Sequence, residues 1–149
     1  MKDLTLTAMA KLILCATEAV DKVKLSEKYS TAWQEDRKFK KVIKIGQIEC
    51  PDTPSRPSKP KLLPPRLMPK RKFGTELGRV ALLHSVAHIE LNAIDLHWDM
   101  IARFSNIQFP LSFYDDWVKA AQDETKHFQL LSKLLQERDS FYGALPAHD

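Results

Sequence analysis

The sequence has few cysteines and no long apolar run. Two cysteines occur, Cys15 and Cys50, and they stand far apart in no metal-ligand spacing. This usage argues against a disulfide-stapled secreted domain and favours a reducing compartment. No apolar run approaches the ~20 residues of a membrane span, and Lys11 interrupts the apolar stretch at residues 4–16, which disfavours a signal peptide. We therefore expect a cytoplasmic protein with no membrane segment.

Acidic residues are absent from one stretch of the chain. Between Asp52 and Glu76 every charged side chain is cationic: Arg56, Lys59, Lys61, Arg66, Lys70, Arg71 and Lys72. Clustered cations can neutralise phosphates, so one interpretation is an arm that binds RNA. The other, which we favour, is a solvated linker, because charge runs are weak indicators of binding. No aromatic residue precedes Phe73 in this run, so base stacking has no support, and no DNA partner is expected.

Proline is concentrated in the same region. Seven of the nine prolines lie between Pro51 and Pro69. Proline fixes φ, lacks a backbone donor and pushes the preceding residue out of the helical region, so this segment should run extended, partly as polyproline II. We interpret residues 51–72 as a strap that separates an N-terminal helical segment, residues 1–50, from a helix pair, residues 73–149.

The N-terminal segment shows helical periodicity without a chemical motif. Its apolar residues recur at three- and four-residue spacing and predict a helix over residues 6–24. Residues 30–41 predict a second, short helix with Ser30 or Thr31 as its N-cap and with Trp33 buried. Residues 42–48 are ambiguous between a short strand and a loop.

A stronger helical pattern follows the strap. Thr75 is the predicted N-cap of a long helix that ends near Phe104. Ser112 and Asp115 have the spacing of a capping box and predict the start of the next helix, which ends near Arg138. The short connection predicts that the two helices are antiparallel neighbours. The tail beyond them is predicted to be non-helical.

Three polar residues on this helix pair stand where metal ligands are needed. Glu124 and His127 are three residues apart, or about 60° around a helix, so both side chains can address one point. Glu90 lies on the apolar face of the preceding helix, where an unpaired carboxylate is costly. A Glu from one helix and Glu-x-x-His from its neighbour form half of the ligand set of a di-iron or di-manganese four-helix bundle. The alternative is that Glu124 and His127 hydrogen-bond each other or water.

Four further residues are weaker candidates to support the ligands by hydrogen bonding. His84 and His88 are spaced i, i+4, but His88 lies about 200° around the helix from Glu90, so they cannot all bind one ion. A hydrogen-bonded core or interface pair is the favoured interpretation of these two histidines. Asp95 and Asp123 are either solvated surface residues or, less favoured, carboxylates that orient a ligating imidazole.

Four segments of the sequence resemble a ferritin-like family catalogued as domain of unknown function 455: RPSKPKLLPPRLMPKR, GTELGRVALLHSVAHIELNAIDL, FYDDWVKAAQDETKHF and YGALPAHD. The resemblance covers residues 54–149. It implies an all-α, ferritin-like helical bundle of di-iron type, with Glu90, Glu124 and His127 as the matching ligands. At superfamily level the family is similar to carboxylate-bridged hydroxylases and oxidases, including a tRNA-modifying hydroxylase, which is a fold-level analogy.

The family pattern continues into a second helix pair with another Glu and another Glu-x-x-His, whereas this sequence stops at Asp149. We therefore expect a half-bundle. Either two chains form a homodimer and each gives half a site, or the chain is a truncated product with a weak or absent site, which we favour because the break falls within the family's domain. A complete site would bind iron or manganese and act as an oxidoreductase or hydroxylase on an unidentified small molecule or RNA. The alternative is a metal-free helical interaction module, associated with RNA through the basic strap.

Overall fold

The computed structural model describes residues 4–39 and 42–149 and shows a helical bundle, which confirms the predicted all-α class. Two short strands, β1 (Leu62–Leu63) and β2 (Ala147–His148), pair in a parallel sheet. None of the described helices is long and apolar enough to cross a membrane. The helices in the described part of the chain are α1 (Leu6–Cys15), α2 (Ala19–Phe39), α3 (Glu76–Arg103) and α4 (Leu111–Glu137).

The first two helices differ from the prediction. The prediction of a single helix over residues 6–24 is wrong. The helix α1 ends at Cys15, and the next residue, Ala16, has extended dihedrals of φ −67° and ψ 130°. The ammonium group of Lys22 donates to the carbonyls of Ile13 and Leu14 at 3.1 and 3.2 Å. It thereby satisfies groups that the last turn of a helix leaves free, and α2 can begin as a separate element.

A separate short helix over residues 30–41 is also wrong. Ser30 and Thr31 lie inside α2 rather than at a cap, and the Ser30 hydroxyl donates to a backbone carbonyl one turn earlier at 3.1 Å. Trp33 is buried, as predicted. Residues 40 and 41, the end of the predicted helix, lie outside the described residues.

Residues 42–48, which were ambiguous in the sequence, run as a loop against the start of α1. The amides of Leu6 and Thr7 donate to the carbonyls of Lys44 and Ile45 at 2.9 and 3.0 Å. The loop therefore satisfies backbone donors that a helix N-terminus cannot satisfy itself.

The long helices α3 and α4 run antiparallel, as predicted. Arg138, directly after α4, donates to the carboxylate of Glu76 at the start of α3 at 2.9 Å, so the end of one helix meets the beginning of the other. The predicted cap of α3 is confirmed, because the Thr75 side chain accepts from the amide of Gly78 at 3.0 Å.

The capping box predicted at Ser112 and Asp115 is wrong. The helix α4 begins one residue earlier than Ser112, directly after Pro110, whose φ of −63° suits the entry to a helix. Asp115 instead accepts hydrogen bonds from the indole of Trp33 at 2.8 Å and from Arg37 at 2.9 Å. Its carboxylate therefore ties α4 to α2.

The core lies between α1, α2 and the α3–α4 pair. Its polar members are hydrogen-bonded, as burial requires. The indole of Trp98 donates to Ser26 at 2.7 Å, and Ser26 lies 2.7 Å from the Thr125 hydroxyl, so these three side chains join α2, α3 and α4. The largest fully buried apolar side chains are Trp33, Trp98, Leu6, Ile13, Leu14, Ile94, Ile101, Leu135 and Val118.

The proline-rich strap crosses the surface and contacts the C-terminal tail. Apart from a short 3-10 turn at Pro65–Leu67 and the strand β1, the strap has no regular structure. The tail is non-helical, as predicted, except that its strand β2 pairs with β1 in the register Leu62 with Ala147 and Leu63 with His148. This pairing joins the two ends of the segment that contains the helix pair.

Candidate metal centre

Glu90, Glu124 and His127 meet between the two long helices. Glu90 lies near the middle of α3, and the other two residues lie on α4. One ligand atom from each lies within 4.8 Å of the others. Within residues 4–39 and 42–149, this is the group of three carboxylate or imidazole side chains close enough to hold one metal ion. The structure thus brings together the three residues that the sequence singled out.

The distances in this group leave one oxygen without a close donor. His127 Nδ1 lies 3.1 Å from Glu124 Oε2, a hydrogen bond, and 3.5 Å from Glu90 Oε2. Glu90 Oε2 is buried and has no hydrogen-bond partner among the described residues. A buried carboxylate oxygen in that state is costly, and a bound cation would satisfy it. The residues present therefore fit a metal ion.

Exposure differs across the three side chains. Glu90 and Glu124 are 17% and 24% exposed, whereas His127 is 54% exposed. The carboxylates thus lie on the buried side of the site, and the imidazole lies on its solvent-exposed side. An ion held here would be reached from the outer face of the α3–α4 pair.

The two carboxylates alter each other's protonation. Burial, together with the neighbouring Glu124, raises the pKa of Glu90 to about 7. A protonated Glu90 can donate to Glu124, and this hydrogen bond together with His127 lowers the pKa of Glu124. The hydrogen bond to Glu124 raises the pKa of His127. The group therefore retains a proton near neutral pH that a divalent cation would displace.

His97 is a fourth member of the site that the sequence interpretation did not select. Its Nε2 lies 3.9 Å from Glu124 Oε1, and its ring packs edge-on against Trp117. Burial lowers the pKa of His97, which favours the neutral imidazole. Its Nδ1 is buried without a hydrogen-bond partner in the described part of the chain. The sequence feature that could have identified His97 is its position seven residues after Glu90, which places both residues on the same face of the helix.

His84 and His88 face the C-terminal tail rather than the site. His84 Nε2 accepts from the amide of Gly143 at 3.0 Å. His88 Nε2 donates to the carbonyl of His148 at 3.1 Å, so its Nδ1 accepts from the hydroxyl of Tyr142 at 2.8 Å. Both histidines are buried. They act as hydrogen-bonded core groups that hold the tail on α3.

The two aspartates proposed as supporting residues lie in different surroundings. Asp95 is 5% exposed and accepts from Lys22 at 2.8 Å, so the prediction of a solvated surface residue is wrong for it. Asp123 is half-exposed and pairs with Lys119, one turn earlier on α4. In the described part of the chain neither aspartate hydrogen-bonds Glu90, Glu124 or His127.

Comparison with known proteins assigns the chain to a family. The model of a family described as "Protein of unknown function (DUF455)" matches residues 15–149. The chain belongs to this family. The match includes α2, α3 and α4 and therefore all three residues of the DUF455 chain's candidate metal centre.

One curated relative of this DUF455 chain is an uncharacterized protein of Haemophilus influenzae. The two are 43% identical over 97 residues, which cover 62% of this chain and 34% of the relative. The matched part thus spans about a third of the relative's length. No solved structure matches the chain.

Proposed function

We propose that Glu90, Glu124 and His127 bind iron or manganese as half of a ferritin-like dinuclear centre, and that the completed centre oxidises or hydroxylates a substrate. The observation that carries this proposal is the meeting of three ligand atoms within 4.8 Å around a buried Glu90 oxygen that has no hydrogen-bond partner among residues 4–39 and 42–149. Glu124 accepts a hydrogen bond from His127, whereas the buried Glu90 oxygen has no donor at hydrogen-bonding distance among the described residues, and a buried oxygen in that state is costly unless a cation accompanies it.

The donor set supports a first-row transition metal. Carboxylate oxygens together with an imidazole nitrogen suit iron and manganese, whereas the absence of a thiolate disfavours a structural zinc site. A Glu on α3 and a Glu-x-x-His on α4 also match one half of the di-iron ligand pattern. Reduced iron or manganese bound here would supply redox chemistry toward dioxygen.

The protein groups would each have a defined task. Glu90 and Glu124 hold the ion from two different helices, so that the ion also fastens α3 to α4. His127 contributes Nδ1, which must give up its proton, and with it the hydrogen bond to Glu124, when the ion binds. The exposed position of His127 leaves the outer side of the site open to substrate.

Metal content tests this proposal directly. The protein is purified, incubated with Mn²⁺ or, without oxygen, with Fe²⁺, and freed of loosely bound metal before elemental analysis. We expect about one ion per chain, and we expect Glu124→Gln and His127→Ala to lose it. Glu137→Gln is the matched control, because Glu137 is an exposed carboxylate on the same helix. Equal metal content in all four proteins would overturn the assignment.

A metal-free interaction module is the second candidate function. It is favoured by the large apolar side chains exposed on α3, namely Leu82, Ile89 and Leu96. Monomeric soluble proteins seldom expose contiguous apolar patches of this kind without a binding role. Elemental analysis separates the two candidates, because the interaction module requires no bound ion.

A further inference from the structure

His97 lies beside the candidate metal centre, between the two long helices. It belongs to α3, and its side chain is 15% exposed. Its ring packs against Trp117 of α4, with the ring centroids 5.3 Å apart and the ring planes at 70°. The facing helix therefore helps to fix the orientation of the imidazole.

Equal spacings on the two helices bring His97 to Glu124. On α3, His97 stands seven residues after Glu90, and on α4, Glu124 stands seven residues after Trp117. Seven residues are about two helical turns, so each pair lies on one face of its helix. Because the helices run antiparallel, the two faces meet with His97 Nε2 3.9 Å from Glu124 Oε1.

The two oxygens of Glu124 face different imidazoles. Oε2 accepts a hydrogen bond from His127 Nδ1 at 3.1 Å, whereas Oε1 faces His97 Nε2 at a distance too long for a hydrogen bond. Within residues 4–39 and 42–149, these two histidines are the cationic or imidazole side chains that lie within 4.0 Å of the Glu124 carboxylate.

A bound ion would remove the donor that Glu124 has in this structure. In the proposed function His127 binds the ion through Nδ1, the same nitrogen that donates to Glu124 here. A nitrogen that coordinates a metal cannot also carry a proton. Glu90 is a candidate ligand as well, so the same ion would engage its carboxylate. Carboxylates that bind metals are themselves hydrogen-bonded as a rule, so Glu124 needs another donor.

The surroundings of His97 place its proton on the nitrogen that faces Glu124. A neutral imidazole carries one N–H group. His97 Nδ1 is buried and has no hydrogen-bond partner in the described part of the chain. A proton there would be a buried donor without an acceptor, and the lone pair of Nε2 would face a carboxylate oxygen. A proton on Nε2 avoids both costs.

We propose that His97 is a positioning residue of the metal centre, whose Nε2–H donates to Glu124 Oε1 when the ion is bound and so holds Oε2 toward the ion. This inference rests on the proposed function. A movement of about 1 Å would bring the two atoms to hydrogen-bonding distance. His97 acts through Glu124 rather than on the ion, because the three ligand atoms that lie within 4.8 Å of one another do not include a nitrogen of His97.

Two substitutions of His97 separate hydrogen bonding from packing. His97→Gln keeps an N–H donor but loses the ring, whereas His97→Phe keeps a ring against Trp117 but loses the donor. Affinity for Mn²⁺ is measured by titration, with the free ion detected by electron paramagnetic resonance. We expect His97→Phe to bind Mn²⁺ about 10–100-fold more weakly than the wild type, and His97→Gln to remain within about threefold of it.

Leu96→Gln is the matched control, because Leu96 is the exposed neighbour of His97 on α3. It should bind Mn²⁺ as tightly as the wild type. The melting temperature of each variant in chelator verifies that it is folded.

The protonated nitrogen can also be observed directly in the wild-type protein. Nitrogen-15 NMR of protein labelled in its imidazole rings, with His97→Gln to assign the signal, should show the proton of His97 on Nε2 in the metal-free state. This measurement does not depend on the folding of His97→Phe.

The remaining outcomes separate this inference from the proposed function. If His97→Phe binds Mn²⁺ as tightly as the wild type, or if the proton of His97 lies on Nδ1, the positioning role is wrong and the proposed function stands. Equal losses in His97→Gln and His97→Phe would show that the effect does not come from the donor and would refute the hydrogen bond. A wild-type protein that binds no Mn²⁺ would refute the proposed function and this inference with it.

Discussion

The ammonium group of Lys22 lies 2.8 Å from the carboxylate of Asp95, and both side chains are buried. The same ammonium group also donates to the carbonyls of Ile13 and Leu14 at the end of α1. One side chain of α2 therefore joins α1, α2 and α3. Asp95 lies five residues after Glu90, so this ion pair fixes the helix that supplies the first candidate ligand.

Replacing Lys22 with Met should destabilise the protein by about 3–5 kcal/mol, because it leaves the Asp95 charge buried without its partner. The double variant Lys22→Met/Asp95→Leu should recover a large part of that loss, since an apolar pair can replace a buried ion pair. The measurement is urea unfolding. Lys24→Met, at an exposed position of α2, is the control and should change stability little.

Glu90→Gln should have opposite effects on the metal-free and the metal-loaded protein. Without metal the substitution removes a half-buried charge next to Glu124. The melting temperature in chelator at about pH 8 should therefore rise, which corresponds to a gain of about 1 kcal/mol in the free energy of unfolding. With Mn²⁺ the wild-type protein should gain stability and the variant should not. A variant that Mn²⁺ stabilises as much as the wild type would show that Glu90 is not a ligand.

The stability of the protein should fall in mild acid because of His88. Burial lowers the pKa of His88 from 6.5 to about 4 in the folded protein. The unfolded chain therefore binds the proton more tightly than the folded protein. The contribution of His88 to the free energy of unfolding is present above pH 6.5 and is lost as the pH falls toward 4, and this loss amounts to at most about 3 kcal/mol.

His88→Gln isolates this effect. Its free energy of unfolding, measured by denaturant from about pH 7 to about pH 4.5, should depend less on pH than that of the wild type. Asp95, whose pKa is raised to about 6 chiefly by burial, contributes a slope of the opposite sign. That slope is common to both proteins and cancels in the comparison. Parallel pH profiles would contradict the role assigned to His88.

Tyr142→Phe should loosen the tail without unfolding the bundle. The change removes the hydroxyl that donates to His88 Nδ1 and should cost about 1 kcal/mol. The amides of Ala147 and Asp149, which donate to Lys61 and Leu63 in the strap, should then exchange hydrogen faster. Hydrogen exchange followed by mass spectrometry measures this. Tyr29→Phe, on α2, is the control and should leave tail exchange unchanged.

The sequence predicts the long helices and the meeting of the three candidate ligands, because the helices depend on local periodicity and their pairing depends on a short connection. Thr75 begins α3 as expected, the spacing of Glu124 and His127 places both on one face of α4, and the antiparallel pairing brings that face to Glu90. The break after α1 could not be predicted in this way. No proline or glycine marks it, and it is stabilised by the side chain of Lys22, which lies on the next helix.

Residues with distant partners were the ones misjudged. Asp95 looks like a surface residue in sequence, because its partner Lys22 is 73 positions away. Asp115 has the spacing of a capping residue, but its carboxylate binds Trp33 and Arg37 of α2. His97 lies on the apolar face with Glu90, and only the arrangement of α4 shows that it also approaches Glu124.

The pairing of β1 with β2 closes the chain between Leu63 and Ala147 into a ring that contains the helix pair. A single cleavage in the connection between α3 and α4 would therefore yield two fragments that stay associated through the β1–β2 pairing, one with Glu90 and the other with Glu124 and His127. The strap and the tail thus hold the two helices of the candidate centre side by side without relying on the connection between them.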